Sequence, residues 1–332
     1  MTDHPRGDRE TAGLNGFVCC VLGQEQYAIR GSEVRNVARA EQMREEAAAG
    51  ARVGSIRHGG EEVPVYSLAA LLGRAHDRGA FDRHIVVTRG ARRAMALLVD
   101  RVVRTPADEQ ARVLPLPNLV GERALRRFEG LLRYEDWSYL VLSPASLDPD
   151  AREGRLPARP RSRSKITAAA GGADMVAVFS SPSLPRCPAD RYAIEARRVE
   201  ALVQALPSIP IPGAAPHVTA LGWWRDETVP LLSFHNAGAG ASSPARQRYI
   251  VVRCGSDAQS AYVAFAVVGD VALHRATRED ALVPFDRKEI DFVRGVFSTG
   301  DEDVALLDLD RLLTRTRESR PAAAGNAVPV LI

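Results

Sequence analysis

The feature that most constrains this chain is that it is written twice. The stretch QYAIRGSEVRNV, Gln26 to Val37, returns as RYAIEARRVEAL, Arg191 to Leu202. Tyr27 is answered by Tyr192 and Val34 by Val199, each 165 residues later (192 − 27 and 199 − 34). RHIVVTRG, Arg83 to Gly90, returns in the same frame as RYIVVRCG, Arg248 to Gly255. FEGLL, with Gly130, returns as VRGVF, with Gly295, and SYLVLSPASL closes the first unit as DVALLDLDRLL closes the second. Between these anchors the frame drifts locally: Asp100 in LLVDRVV matches Asp270 in VVGDVAL, five residues further on. An insertion confined to one hairpin is what a duplicated β fold tolerates. Chance does not hold several anchors in register, so the chain is a duplicated domain.

Each copy is a series of short segments rich in Val, Ile and Leu, punctuated by Gly, Pro or Asp: FVCCVL, YAIRGSEVRNV, EEVPVYSL, RHIVVTRG, MALLVDRVV, SYLVL. That is the signature of an all-β domain with alternating strands. SLAALLGRA makes one short helix, capped by Ser67 and ended by Gly73. EQMREEAAAGA is expected as a second helical or loop excursion. The reading divides the chain into a disordered tail over 1–15, a domain over 16–147 and a Pro/Arg-rich linker over 148–173. A second domain over 174–313 and a loose tail over 314–332 follow. The linker, DPDAREGRLPARPRSRSKITAAAGGA, lacks apolar periodicity and reads as an extended tether.

Composition excludes several function classes. With 332 residues the chain is long enough for two domains, each with its own core. Net charge is only +3 and both signs are interspersed, so no broad cationic face for nucleic acid is expected. Cys19, Cys20, Cys187 and Cys254 show no metal-ligand spacing, and adjacent Cys19 and Cys20 point to opposite faces of a strand. The N-terminus has no apolar signal core and no run reaches the length of a membrane span, so a cytoplasmic protein without membrane insertion is expected. No nucleophile elbow, HExxH helix, P-loop or EF-hand loop is present. NAGAGASS around Gly238 lacks the strand-to-helix context of a phosphate loop. Glu61 and Glu62 face opposite ways and cannot form an acid/base couple. Tyr27 and Tyr192 read as core rings, since neither segment supplies a base. No catalytic residue, metal or cofactor is assigned.

The ordered set of segments resembles the CheW family of chemotaxis coupling proteins over Gly16 to about Leu147 and Asp174 to about Leu313. Phe17, Gly23, Tyr27, Ala28, Ile29, Val34 and Val37 fit the family's opening strand pair. Tyr192, Ala193, Ile194, Val199 and Leu202 fit it again. GSIRHGGEEVPVYSL from Gly54 and ALGWWRDETVPLLSF from Ala220 look like the family's hairpin. ALLVDRV ending at Val102 resembles its GLLVDxV strand, and ALLDLDRLL ending at Leu313 its closing strand. The resemblance implies two CheW-like domains, each of two small five-stranded SH3-like β-barrels with a groove between them. It also implies a non-enzymatic adaptor binding the regulatory domain of a CheA-like histidine kinase and the cytoplasmic helical tip of a chemoreceptor. Other CheW-like domains are a further class of partner, and association with the membrane would come only through receptor arrays.

The departures from the family pattern give the candidate partner-binding residues. The hairpin arginine survives as Arg225, whereas Gly59 holds that register in domain one and Arg57 lies two residues earlier. Beside Val34 and Val199, a glutamate of the family becomes Asn36 in one domain and Ala201 in the other. Asp100 and Asp270 are retained. Trp223 and Trp224 are consecutive strand residues, so they cannot both face one core. Beside Arg225 they have hot-spot composition. Two rivals stand: a pseudo-adaptor with one binding domain and one spacer or array-capping domain, or a basic-linker protein associated with nucleic acid or membrane. An enzyme is a third reading, its constellation assembled only in three dimensions.

Overall fold

The computed structural model describes residues 16–74, 83–104, 106–107, 109, 111–149, 175–181, 191–233, 248–255, 261–275, 292–299 and 302–311. The 1–15 tail, nearly all of the 148–173 linker, the 314–332 tail, Cys187 and the glycine-rich loop at Gly238 lie outside the described residues.

The local logic is visible in β1 (Phe17–Leu22). Phe17 and Cys19 point one way, into a cluster with Ala28, Leu132, Tyr139 and Val141. Val18 and Cys20 point the other way, into the largest apolar cluster of the protein. Both faces of the strand are covered, so its residues read as a nearly unbroken apolar run rather than as the expected alternation. In β8 (Ala94–Val99) every residue is buried.

The first copy folds as two sheets. One runs β10 (Arg112–Pro115), β11 (Phe128–Tyr134), β12 (Trp137–Leu142), β2 (Glu25–Arg30), β1, β9 (Arg101–Arg104). The other runs β3 (Val34–Arg39), β7 (His84–Arg89), β8, β6 (Glu61–Ser67), β5 (Arg52–His58), β4 (Arg44–Ala49). Neighbours are antiparallel except β12 with β2 and β6 with β8, which are parallel.

The second copy repeats the plan with one join. Its strands β15 (Val199–Val203), β19 (Arg248–Cys254), β18 (Glu227–Leu232), β17 (Val218–Trp224) and β16 (Ser208–Ile209) share a path with β13 (Met175–Ser180), β14 (Arg191–Glu195), β22 (Glu302–Leu307) and β21 (Val293–Thr299). They are linked because β20 (Ala261–Arg275) serves both halves: its first part pairs with β19 and its second with β13. In the first copy the same path is cut at Asp100 into β8 and β9. The parallel neighbours recur as β18 with β20 and β14 with β22.

Bulges recur as well. The register slips at Val34/Asn36 and again at Val199/Ala201. It slips at Arg52/Gly54 and Val218/Ala220, and at Phe128/Gly130 and Val293/Gly295. A bulge re-aims a strand at a fixed point, so its recurrence marks common descent of backbone, not of composition alone. It also explains one glycine anchor: a Cβ on Gly130 would come within 2.6 Å of the Leu114 carbonyl oxygen.

The short helix α1 spans Leu68–Leu72, with Ser67 Oγ accepting from the Ala70 N–H at 3.3 Å and Gly73 ending it, as expected. EQMREEAAAGA is not an α-helix. It forms a 3-10 turn, Ala40–Gln42, and then β4, whose backbone pairs with β5. Tertiary pairing overrides the helix preference of Ala and Glu there.

Each copy is closed by a carboxylate just past its last strand. Asp148 is buried and accepts from the Ala91 N–H at 3.0 Å. Asp310 accepts from the Gly255 N–H at 3.2 Å and from Arg198 at 3.0 and 2.8 Å. The two copies are also packed on one another. Leu114, Leu116 and Val120 of the first share one continuous apolar cluster with Ile211, Ala215 and Leu221 of the second.

Candidate partner-binding hairpin

The β17–β18 hairpin turns on two residues. Trp224 pairs with Glu227, and Arg225 and Asp226 make the turn at φ +47° and +65°. A two-residue hairpin turn with both φ values positive matches the twist of the flanking strands and ordinarily carries Asn-Gly or Gly-Gly. The first copy obeys that rule. Its β5–β6 hairpin turns on Gly59 and Gly60, with φ of +60° and +82°, and His58 pairs with Glu61. The second copy therefore keeps two side chains where glycine would be easier.

Strand alternation gives the hairpin two sides. Trp223 pairs with Thr228 and packs against the large shared core, with the Arg133 guanidinium over its ring at 5.5 Å. Trp224 packs on the opposite side, on the cluster of Val229 and Tyr249, and meets the Tyr262 ring edge-on at 5.3 Å. Arg225 is exposed and lies over the Trp224 ring at 4.2 Å, a cation–π arrangement that pre-sets its direction. Both tryptophans are half-buried, each on its own face.

The remaining sequence-predicted residues do not join this hairpin. Val34 is buried and Asn36 uses its own Oδ1 to accept from the Val37 N–H at 2.8 Å, holding the bulge. Val199 is half-buried beside the matching bulge, where Glu200 pairs with Arg253 at 3.2 Å. These strands lie at the opposite end of the sheet path from the hairpins. Arg57 is exposed on β5. Asp100 and Asp270 have diverged: Asp100 accepts from the Gly23 N–H at 2.6 Å, while Asp270 is fully exposed and reaches Arg248 at 3.5 Å. Asp100 thus holds a turn, and the pair does not mark one shared surface.

Tyr27 differs in one respect from its sequence reading. Its segment does supply a carboxylate: the phenol donates to Glu25 Oε2 at 2.6 Å, and Arg74 also pairs with Glu25. Burial first, and then that bond, push the phenol pKa well above its ordinary value, the reverse of an activated nucleophile. The ring is buried and stacks on Phe128 at 6.3 Å. Burial likewise raises the Cys20 thiol and pushes Cys254 up to about 12. Such thiols are inert rather than nucleophilic. Among the described residues no group of His, Cys, Asp and Glu is arranged to hold a metal, and no helix is long and apolar enough to cross a membrane.

The geometry so far is a duplicated all-β chain with one elaborated hairpin, and comparison with known families assigns it. The model of the CheW-like domain matches residues 16–148 and again 184–317. The chain belongs to the CheW-like domain family. CheW-like domains build adaptors and scaffolds of chemotaxis systems, a generally non-catalytic family. One solved structure that the chain is similar to is the scaffolding protein TtCheW from Thermoanaerobacter tengcongensis. The alignment is 19% identical and covers 40% of this chain and 91% of that one, with a TM-score of 0.34. No curated protein matches the chain.

Sequence reasoning missed Asp226, Thr228, Arg112 and Arg133, which surround the inner side of the hairpin. One signal was available: Arg-Asp stands in a two-residue turn where the other copy has Gly-Gly.

Proposed function

We propose that this tandem CheW-like chain is a non-catalytic cytoplasmic adaptor that couples chemoreceptors to a CheA-type histidine kinase. The observation that carries the reading is the turn of the second domain. Arg225 and Asp226 occupy left-handed backbone at a strain of about 1–2 kcal/mol for a residue such as arginine. Strain retained at an exposed tip beside an aromatic ring points to side chains kept for contact. Arg225 and Trp224 form the outward face of that tip and are the anchors for an outside partner.

An adaptor transmits nothing unless it binds the active and inactive assemblies differently. Kinase contact would use the Arg225 face, and receptor contact would seat a helix in the groove between the two sheets of one domain. The Gly59–Gly60 turn favours a division of labour. It presents no side chain, so domain one acts as spacer or cap while domain two engages the partner.

The test is a pull-down with the kinase regulatory domain and the receptor tip from the same organism. Arg225→Ala is expected to weaken capture more than Gly59→Ala does. Equal effects would remove the asymmetry, and no capture by the intact chain would remove the adaptor reading.

A further inference from the structure

We propose that the inner side of the β17–β18 hairpin is a charge-keyed plug for the first domain, and that the key works in one direction only. On the adaptor reading above, this face is then closed to outside partners and to further copies of the chain.

The contacts are specific. Asp226 Oδ2 meets Arg112 Nη1 at 3.0 Å, and Asp226 Oδ1 meets Arg133 Nη1 at 3.2 Å. The Thr228 hydroxyl donates to the Pro115 carbonyl at 2.7 Å, and the Ala215 N–H donates to the Val120 carbonyl at 2.8 Å. Arg133 uses one side chain twice, pairing with Asp226 and covering Trp223. The backbones approach closely enough that a Cβ on Gly121 would sit 3.1 Å from the Ala215 nitrogen. Beneath these contacts runs the apolar seam of Leu116 and Val120 against Ile211 and Ala215.

The two kinds of contact do different jobs. Asp226 is 57% exposed and Arg112 is 61% exposed, so these ion pairs add little adhesion. The apolar seam and the two backbone-directed hydrogen bonds supply adhesion, and the charges set which hairpin fits.

The duplication provides an internal control. Swapping the roles of the copies would put the β5–β6 hairpin against β21, the counterpart of β11. Register equates Trp224↔Glu227 with His58↔Glu61, so Gly60 stands in the place of Asp226 and Glu62 in that of Thr228. Likewise Arg133↔Ser138 corresponds to Ser298↔Asp303. The second domain therefore offers a serine bonded to an aspartate, at 2.7 Å, where the first offers a guanidinium. Among the described residues, the reverse contact lacks both the acid of Asp226 and the guanidinium of Arg133. A head-to-tail contact that could repeat would build rings or filaments. Here the repeating surface is closed within one chain, and its ligand class is an Arg-Asp two-residue β-turn flanked by tryptophan, with the aspartate turned to the first domain.

The experiment needs neither kinase nor receptor, so its outcome is independent of the adaptor reading. In the intact chain, hydrogen exchange is followed at the Ala215 amide. Asp226→Arg should speed exchange about tenfold by placing a third guanidinium beside Arg112 and Arg133. Adding Arg112→Asp and Arg133→Asp to that variant should restore protection, which a merely misfolded variant would not show. Unchanged exchange in Asp226→Arg, or no recovery in the charge swap, would overturn the plug. Light scattering over rising concentration should show no ladder of oligomers, and a ladder would overturn the one-way key.

Discussion

Replacing Arg225 by glycine separates a contact role from a structural one, because a contact role predicts lost affinity at nearly unchanged stability and a structural role predicts lost stability. Arg225 sits at φ +47°, where a side chain costs about 1–2 kcal/mol. Glycine removes that strain but adds backbone entropy in the unfolded chain, about 0.5–1 kcal/mol. It also loses the stack over Trp224, which at an exposed site contributes about 0.5–1 kcal/mol. These effects nearly cancel, so urea unfolding followed by tryptophan fluorescence should move by less than about 1 kcal/mol. Partner binding should behave differently. Loss of an arginine anchor beside an aromatic ring typically costs about 2 kcal/mol or more, about a thirtyfold loss of affinity. Calorimetric titration with the kinase regulatory domain reads that loss directly. The reasoning fails if Arg225→Gly loses more than about 2 kcal/mol of stability, or if affinity is unchanged. The reciprocal variant, Gly59→Arg, imports the strain at φ +60° into domain one but recovers glycine's backbone entropy, so it should lose at most about 1.5 kcal/mol of stability.

Three further outcomes follow from the interior. Asp310→Asn should lose about 1.5–3 kcal/mol near neutral pH, because the carboxylate accepts two bonds from Arg198 and one from Gly255. Bonding to Arg198 holds the folded Asp310 pKa below its unfolded value, so this stability is complete above about pH 4 and fades as pH falls through the folded pKa. Acid unfolding of parent and variant should therefore converge at low pH, and a gap that persists there would contradict the assignment. Gly130→Ala should lose about 1–3 kcal/mol in thermal unfolding, since its Cβ would collide with the Leu114 carbonyl. In a Cys187→Ser background, Cys19, Cys20 and Cys254 are all buried, so thiol labelling at pH 8 should track unfolding. Rapid labelling of the folded chain would refute their burial.

What was legible in the sequence is what the chain writes locally. A strand's short apolar run, Ser67 as a helix cap and Gly73 as its stop depend on residues a few positions apart. The offset of 165 residues between Tyr27 and Tyr192 exposed the repeat without any knowledge of contacts. EQMREEAAAGA departs from expectation because its Ala and Glu favour a helix, while the hairpin pairing of β4 with β5 that holds it extended does not show in composition. The carboxylate at Tyr27 escaped because Glu25 lies two residues back on the same strand, facing the same way, just outside the repeated stretch.

The candidate site was half legible for a related reason. Repetition compares equivalent positions, so it drew attention to Arg225 against Gly59 and to Asn36 against Ala201. It cannot reveal a contact between non-equivalent positions, and the contact of Asp226 with Arg112 and Arg133 joins a turn of one copy to strands of the other. Such a contact leaves a different trace: both of its partners change in the copy that does not use them. Gly60 stands at the place of the acid and Ser298 at that of the Arg133 guanidinium, whereas the bulges at Val34/Asn36 and Val199/Ala201, away from the junction, recur. Two copies under the same constraints would have drifted alike. The paired difference therefore argues that the copies serve different tasks, one receiving a hairpin and the other supplying it.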